Sequence, residues 1–494
     1  MSAAPRSEQQ DIQALAKGGR TNVLGFALRL IGRIPFLFIA GRMYGAEALG
    51  RFAFALAIIE LSAQLCTLGQ KRGLAQELAR EDAHPANVVG DAMLLSGALA
   101  AVLGVGFYLF PQPIFPSGEY SALDRLIPLA LVPLTLTEIA LSAQAYRFDV
   151  ATSVRSRALV EPWVLSILAG LLWFVVPESG MILAYIGSVL AAAVVALLPV
   201  YRTYGLPRAW QPHPLRLGKL AIANLPLAVA DVVEWGTRRL DLAILGIFAS
   251  PATVGIYYVA QQIASLPQKF KSSFEPVLGP VITRNLKEKN YAAISKQVCQ
   301  VGFWITAAQF GVALALGLPG RGVMGLTGPA FVAGTGALLA LLAAEVIASA
   351  AVVSEAALIY VRRMLNMWIS LATVAVQALA SVGLIMAAQR LGLGEPFWAA
   401  GAAMGLLIAL AFASLVKSVM LAAFLGQSTN PWRWSLLVAA APAALVGWFF
   451  TRFMPEWAEL AIGAPAILLT YLYVIWHKGF GPEDRMLFRR NVGT

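Results

Sequence analysis

Long apolar runs alternate with short polar connections along the whole chain. Each run is close to the roughly 20 residues that a helix needs to cross a bilayer. The runs predict fourteen transmembrane helices, near residues 22–40, 48–69, 91–110, 122–143, 159–177, 181–200, 219–248, 252–280, 298–318, 329–357, 365–388, 396–416, 433–451 and 458–476. The pattern therefore predicts an all-α, polytopic membrane protein, with these segments numbered below as spans 1 to 14.

The composition agrees with this pattern and excludes a large soluble domain. Hydrophobic residues make up 59% of the 494 residues, charged residues only 13%, and the mean hydropathy is +0.72. The two cysteines, Cys66 and Cys299, lie too far apart to suggest a disulfide framework. His84, His213 and His477 fall in separate polar connections, so we expect no metal site. No phosphate-binding loop of the GxxxxGK[ST] type occurs, and we expect no cofactor.

The basic residues predict the orientation of the spans. With a cytoplasmic N-terminus, the 37 Lys and Arg residues divide into 25 in cytoplasmic connections, 6 outside and 6 within spans. This asymmetry follows the positive-inside rule and predicts an inner-membrane protein with both termini in the cytoplasm. The net charge of +11 then needs no nucleic-acid partner. No cleavable signal is visible in the polar residues 1–20, so we expect span 1 to remain in the mature protein.

An internal repeat relates the two halves of the chain. A shift of 205 residues superposes eight identical residues within positions 33–61, including the arginine pair Arg33 and Arg238 and the glycine pair Gly50 and Gly255. Two six-helix bundles in the same orientation are therefore expected, with the ligand site where the bundles meet. The predicted organisation is a cytoplasmic segment 1–20, bundles 21–216 and 217–424, two additional helices in 425–477, and a cytoplasmic tail 478–494.

Two spans carry polar residues along one helical face. At 100° per residue, the polar residues of span 1 fall within about 60° and the charged residues of span 7 within about 80°. These residues are Asn22, Arg29 and Arg33 in span 1, and Asp231, Glu234, Arg238 and Asp241 in span 7. Since the repeat superposes the two faces, we expect them to line a central polar cavity.

Two interpretations of these charges remain open. On span 7, Arg238 has acids at i−4 and i+3, so ion pairing between helices explains it as well as ligand binding does. Span 1 has two arginines and no acid, and their compensation must come from Glu60 in span 2, from span 7 or from an anionic ligand. The planar guanidinium group suits phosphate oxygens, and we predict phosphate binding by Arg29 and Arg33.

Other charged residues within spans have two possible roles each. Lys269 in span 8 either lies lower in the same cavity or extends to the cytoplasmic interface. Glu138 and Glu345 occupy repeat-related positions in spans 4 and 10. Such a carboxylate either binds a coupling ion or pairs with the basic residues of neighbouring spans.

Three segments carry a resemblance to a known superfamily. They are YGAEALGRFAFALAIIEL at 44–61, NLPLAVADVVEWGTRRLDLAILGIFASPATVGIYYVAQQIASL at 224–266 and FEPVLGPVI at 274–282. Together with the overall pattern, they resemble the polysaccharide and O-antigen flippases of the multidrug/oligosaccharidyl-lipid/polysaccharide exporter superfamily. The resemblance covers nearly the whole chain.

The resemblance implies a fold, a substrate and a set of partners. The fold would be two six-helix bundles in a V that opens alternately to either side. The substrate would be a lipid-diphosphate-linked oligosaccharide, flipped to the periplasmic leaflet for polysaccharide and lipopolysaccharide biosynthesis. Cationic cavity residues would map onto Arg29, Arg33 and Arg238, although the acids of span 7 depart from a purely cationic cavity. Membrane lipids, a polysaccharide polymerase and chain-length machinery would be its partners.

Three rival functions differ in the chemistry they need. A cation-coupled multidrug exporter of the same superfamily would use Asp231, Glu234 and Asp241 as its cation site, but the arginines of span 1 disfavour it. A membrane enzyme such as a glycosyltransferase lacks support, because no DxD metal motif and no long outside loop occur. A scaffold protein would not need charges facing an internal axis. We therefore expect a transporter and no enzymatic activity.

Overall fold

The fold is all-α. The computed structural model describes residues 34–79, 84–147, 149–207, 210–482 and 484–485, and within them every regular element is helical. Eleven segments of this described part are long and apolar enough to cross a membrane. The predicted polytopic, all-α membrane protein is thereby confirmed, while the total of fourteen spans stays a prediction.

The described residues divide into two compact units. The first comprises residues 34–258 and the second residues 259–485. The first unit contains six long helices and a short one: α1 Gly45–Cys66, α2 Gln70–Leu78, α3 Pro85–Leu109, α4 Leu131–Tyr146, α5 Glu161–Trp173, α6 Gly180–Tyr204 and α7 Pro214–Phe248. Helix α8, Pro251–Lys287, begins in the first unit and continues into the second.

The second unit is built from the rest of α8 and six further helices. They are α9 Tyr291–Gly317, α10 Thr335–Val361, α11 Arg363–Arg390, α12 Glu395–Leu425, α13 Ser435–Phe453 and α14 Ala464–Val474. Helix α12 packs along both α10 and α11, while α13 and α14 pack against α9. Spans 3 to 14 correspond in order to helices α3 to α14. Spans 7 and 8, which became α7 and α8, are not among the eleven apolar segments.

Helical structure is what the hydrophobic segments must adopt in lipid, because a helix satisfies its own backbone hydrogen bonds. The ends of the helices follow local sequence signals. Pro85 and Pro214 stand at the first positions of α3 and α7, where the missing N–H is not needed. Gly426 follows α12 in the left-handed conformation, which glycine adopts without strain. Proline thus stands at the start of α3 and α7, and glycine ends α12.

Each unit has its own hydrophobic core. In the first unit, a cluster including Leu74, Ile139 and Val200 joins α2, α4 and α6. In the second unit, Phe303 and Tyr471 belong to a cluster that joins α9 to α14. The last two helices are thus an integral part of the second unit, because their apolar faces complete its core.

The two glycines that the repeat superposes meet at one helix crossing in the first unit. A Cβ added to Gly50 on α1 would lie 1.6 Å from the carbonyl oxygen of Pro251 on α8. A Cβ added to Gly255 would lie 2.0 Å from the carbonyl oxygen of Ala46. The shift of 205 residues relates Ala46 to Pro251 as well, so the two contacts are reciprocal. Small residues four apart allow this close backbone approach. Residues that the repeat relates thus make reciprocal contacts at this crossing.

The connection between α6 and α7 is tied to the start of α3. Asp91 on α3 is buried, accepts a hydrogen bond from the indole N–H of Trp210 at 2.8 Å and forms an ion pair with Arg216 on α7 at 3.2 Å. A second carboxylate, Asp149, lies in the connection between α4 and α5 and accepts bonds from the N–H and hydroxyl of Thr152. These bonds hold the pKa of Asp149 below its usual range.

Candidate functional site

Part of the predicted site lies outside the described residues. Asn22, Arg29 and Arg33 belong to the segment before residue 34. Lys269 is on α8, but its side chain is also outside the description. The proposed phosphate contacts of these four residues stay predictions. The residues of α7, together with Glu60, Glu138 and Glu345, are described and can be placed.

The charged face of α7 is organised around Arg72 of the short helix α2. Its guanidinium group contacts Asp231 at 2.7 Å through Nε and Glu234 at 2.7 Å through Nη2. Glu234 also pairs with Arg238 one turn further along α7, at 3.3 Å. The four side chains therefore form one network of two carboxylates and two guanidinium groups. The pairing of Arg238 with the acid at i−4 is the one that the spacing predicted.

Three side chains of this network are about half exposed, and the fourth is buried. The side chains of Arg72, Glu234 and Arg238 are 44%, 50% and 51% exposed, whereas that of Asp231 is only 2% exposed. The second carboxylate oxygen of Asp231, Oδ2, is buried and takes no hydrogen bond from the described residues. Arg72 is the ion-pair partner of Asp231. The positive charge of Arg72 compensates the buried carboxylate of Asp231, whose burial without a partner would be energetically costly.

Two glycines bring α2 close enough for this contact. The turn between α1 and α2 has positive φ angles at Leu68 (49°) and Gly69 (72°), which redirect the chain. A Cβ at Gly69 would lie 2.5 Å from the carbonyl oxygen of Asn224 on α7, and one at Gly73 would lie 1.8 Å from the Asn224 Oδ1 atom. Only glycine permits this approach, and Arg72 stands between the two glycines in sequence. The backbone geometry therefore positions the guanidinium group on α7.

Sequence reasoning did not identify Arg72 as a site residue. It was counted as one of the basic residues of a cytoplasmic connection, because residues 70–79 are polar and fall outside the apolar runs. The spacing of Gly69 and Gly73 was the available signal, since small residues four apart are typical of close helix packing. Helix α2 itself was missed for the same reason.

A second ion pair links α1 to α7. Glu60 contacts Arg239 at 3.3 Å, and their side chains are 31% and 20% exposed. Sequence analysis left open whether Glu60 compensates the arginines of span 1, and the structure shows Arg239 as its partner. Asp241 is fully buried and accepts a hydrogen bond from the hydroxyl of Tyr257 on α8. Arg239 and Tyr257 were not among the predicted site residues.

Glu138 belongs to a third network, which links α2, α4 and the start of α5. It contacts Arg157, which also contacts Glu161 at 2.6 Å, and it lies 3.3 Å from Lys71. Arg157 stands in a π-helical turn, Val154–Val160, directly before α5. Such turns are frequent at functional sites. Adjacent residues of α2 thus serve different networks, Lys71 that of α4 and α5 and Arg72 that of α7.

Glu345 lies on α10 in the second unit, where another charged pair occurs. Lys417 on α12 is buried, contacts Glu355 of α10 at 2.9 Å and donates a hydrogen bond to Ser370 of α11 at 3.2 Å. Lys417 stands directly after the predicted span 12, and helix α12 continues past it to Leu425. Among the described residues, no group of three or more His, Cys, Asp or Glu side chains could hold a metal ion.

Comparison with solved structures places the fold. Lipid II flippase MurJ in an inward closed conformation has a TM-score of 0.65 at 12% identity, covering 92% of this chain and 98% of that one. An inward-facing multidrug resistance MATE family transporter of the MOP superfamily has a TM-score of 0.63 at 14% identity, covering 81% and 94%.

A MOP superfamily transporter from Pyrococcus furiosus, described as having a binding pocket of reversed polarity, has a TM-score of 0.53 at 13% identity, covering 85% and 96%. At these identities the likeness shows a shared fold. A comparison with curated proteins gives no match. The model of the family described as "Polysaccharide biosynthesis protein" matches residues 22–286, more than half of the chain and all the networks of the first unit. The chain therefore belongs to the polysaccharide biosynthesis protein family.

Proposed function

We propose that this protein flips a lipid-diphosphate-linked oligosaccharide from the cytoplasmic to the periplasmic leaflet for polysaccharide biosynthesis. The match to the polysaccharide biosynthesis family over residues 22–286 is the observation that carries the proposal. The fold supports it, since MurJ, a lipid II flippase, shares this fold. Transport would proceed by alternating access, with a cationic cavity that receives the headgroup.

The physical problem is the headgroup, because a diphosphate and its sugars cannot enter hydrocarbon while the lipid tail can remain there. Arg29 and Arg33 of span 1, with Arg238 of α7, would neutralise the diphosphate. An inside-negative membrane potential favours outward movement of anions by about 2.3 kcal/mol per charge for each 100 mV. The potential thus supplies a driving force without nucleotide hydrolysis.

The rival function is cation-coupled drug export, with the acids of α7 as the cation site. A specific observation favours it, since the Oδ2 atom of Asp231 is buried and takes no hydrogen bond from the described residues. Two others weigh against it. Arg72 already forms ion pairs with Asp231 and Glu234, and the carboxylate of Asp241 already accepts a hydrogen bond from the hydroxyl of Tyr257. A basic residue inside a cation site would raise the cost of binding any cation.

The test compares the glycolipid in the two leaflets of cells that lack this protein. We expect the lipid-linked oligosaccharide to accumulate in the cytoplasmic leaflet and wild-type protein to relieve the accumulation. Arg33→Ala should slow export about tenfold or more at matched expression, because a charge-assisted contact to phosphate is lost. Arg390→Ala, at the exposed end of α11, is the control and should export normally. An unchanged leaflet distribution in the deletion strain contradicts the proposal.

A further inference from the structure

The acids of α7 pose a problem for an anionic substrate. Asp231 and Glu234 lie on the same face as Arg238, and an exposed carboxylate repels a diphosphate as strongly as a guanidinium group attracts it. The structure resolves the conflict through a residue outside the predicted site. Arg72 contacts both carboxylates at 2.7 Å, and nothing about the reaction or the family assigns it a role.

We propose that Arg72 is a specificity-determining residue, which neutralises Asp231 and Glu234 and thereby makes the α7 face accept a diphosphate instead of a cation. The inference rests on the proposed function and names what sets the charge selectivity of that site. Arg72 acts through the two acids and is a positioning residue with respect to the substrate. Its guanidinium group reaches α7 only because Gly69 and Gly73 let α2 lie against that helix.

The charge balance of the network supports this role. With Arg72 in place, two guanidinium groups oppose two carboxylates, and the network is neutral. Without it, the guanidinium group of Arg238 remains beside Glu234, and the three remaining side chains of the network together carry one net negative charge. Because Glu234 and Arg238 are about half exposed, that charge would be felt by a ligand that contacts them. A lipophilic cation would then be favoured over an anion.

A purely structural role for Arg72 predicts a different pattern. Arg216 offers the matched comparison, since it too is a half-exposed arginine that holds a buried aspartate, Asp91, and it lies on α7 itself. If loss of Arg72 only loosened the helix packing, loss of Arg216 should have a similar effect on binding. In that case, neutralising Asp231 and Glu234 would not restore binding to the Arg72 variant.

The experiment measures binding of two probes to the full-length purified protein in lipid nanodiscs. Farnesyl diphosphate reports anion recognition and tetraphenylphosphonium reports cation recognition, with uncharged farnesol as the lipid-tail control. The variants are Arg72→Gln, the double variant Asp231→Asn with Glu234→Gln, the triple variant combining all three changes, and Arg216→Gln.

We expect Arg72→Gln to bind farnesyl diphosphate about tenfold more weakly and tetraphenylphosphonium more tightly, as one uncompensated charge a few ångströms away implies. The triple variant should regain diphosphate binding and lose the cation binding, because no uncompensated acid remains. Arg216→Gln should bind both probes like wild type.

Two results overturn the inference, namely normal diphosphate binding by Arg72→Gln and a triple variant as weak as Arg72→Gln. Failure of the proposed function looks different, since wild type would then bind farnesyl diphosphate no better than farnesol.

Discussion

At Arg157, a single guanidinium group holds two carboxylates inside the first unit. It contacts Glu161 at 2.6 Å and also Glu138. The exposed fractions of the side chains are 24% for Arg157, 21% for Glu161 and 16% for Glu138. Lys71 supports Glu138 from the side of α2 at 3.3 Å. With so little solvent, each carboxylate depends on its partner for compensation of its charge. Arg157 therefore joins α4 to the π-helical turn that leads into α5.

Arg157→Ala should lower the free energy of unfolding by about 2 kcal/mol, because it leaves two partly buried carboxylates close together. Adding Glu138→Gln and Glu161→Gln should recover most of the loss. Thermal unfolding of the detergent-purified protein measures both. Arg51→Ala is the control, since its partner Glu47 is 63% exposed and the pair should contribute less than about 0.5 kcal/mol. Equal destabilisation by the two substitutions contradicts the assignment.

Some contacts of single residues could be predicted from the sequence, and others could not. The spacing of Glu234 and Arg238 predicted their ion pair, because residues four apart face each other on a helix. The partners Arg72 and Arg239 were missed, since contacts between helices depend on packing that hydropathy does not encode. Lys417 falls just outside the predicted span 12 because hydropathy drops there, whereas the helix itself continues to Leu425. Arg29 and Arg33 lie outside the described residues and stay predictions.

At the scale of elements, the apolar runs predicted where the long helices lie. A run of about 20 apolar residues in lipid forms a helix, because a helix satisfies its own backbone hydrogen bonds. Helices α3 to α14 therefore lie where spans 3 to 14 were predicted. The short helix α2 was not predicted, because its nine residues are polar and its position is fixed by contacts with α4 and α7. The repeat relates Gly50 to Gly255 in the sequence, and the structure adds that the two glycines meet at one close crossing, a contact that the sequence did not predict.

Gly50→Ala and Gly255→Ala should each destabilise the protein by about 1–3 kcal/mol, because the added methyl group meets a backbone carbonyl that can move only with its helix. The reciprocal geometry predicts similar losses for the two variants. Thermal unfolding provides the measurement, and Gly106→Ala on α3 is the control, since nothing lies within 4 Å of its added Cβ. A wild-type unfolding temperature for either variant contradicts the close crossing.

At the scale of the whole molecule, the family match and the charge networks of the first unit fall in the same part of the chain. The family model covers residues 22–286, which include α1 to α7 and most of α8. Within that stretch, the acids of α7 form ion pairs with Arg72 and Arg238. The sequence predicted the superfamily fold because the apolar spacing is visible along the chain, whereas contacts between helices depend on packing.

We propose that this protein moves a diphosphate-linked glycolipid between leaflets. The most direct measurement reconstitutes the purified protein in liposomes that carry a labelled lipid-linked oligosaccharide. A membrane-impermeant glycosidase then reports the fraction of glycolipid in the outer leaflet over time. We expect wild-type protein to exchange the inner pool with the outer one, and Arg33→Ala to do so about tenfold more slowly. An inner pool as protected as in protein-free liposomes, with uptake of tetraphenylphosphonium instead, contradicts the account.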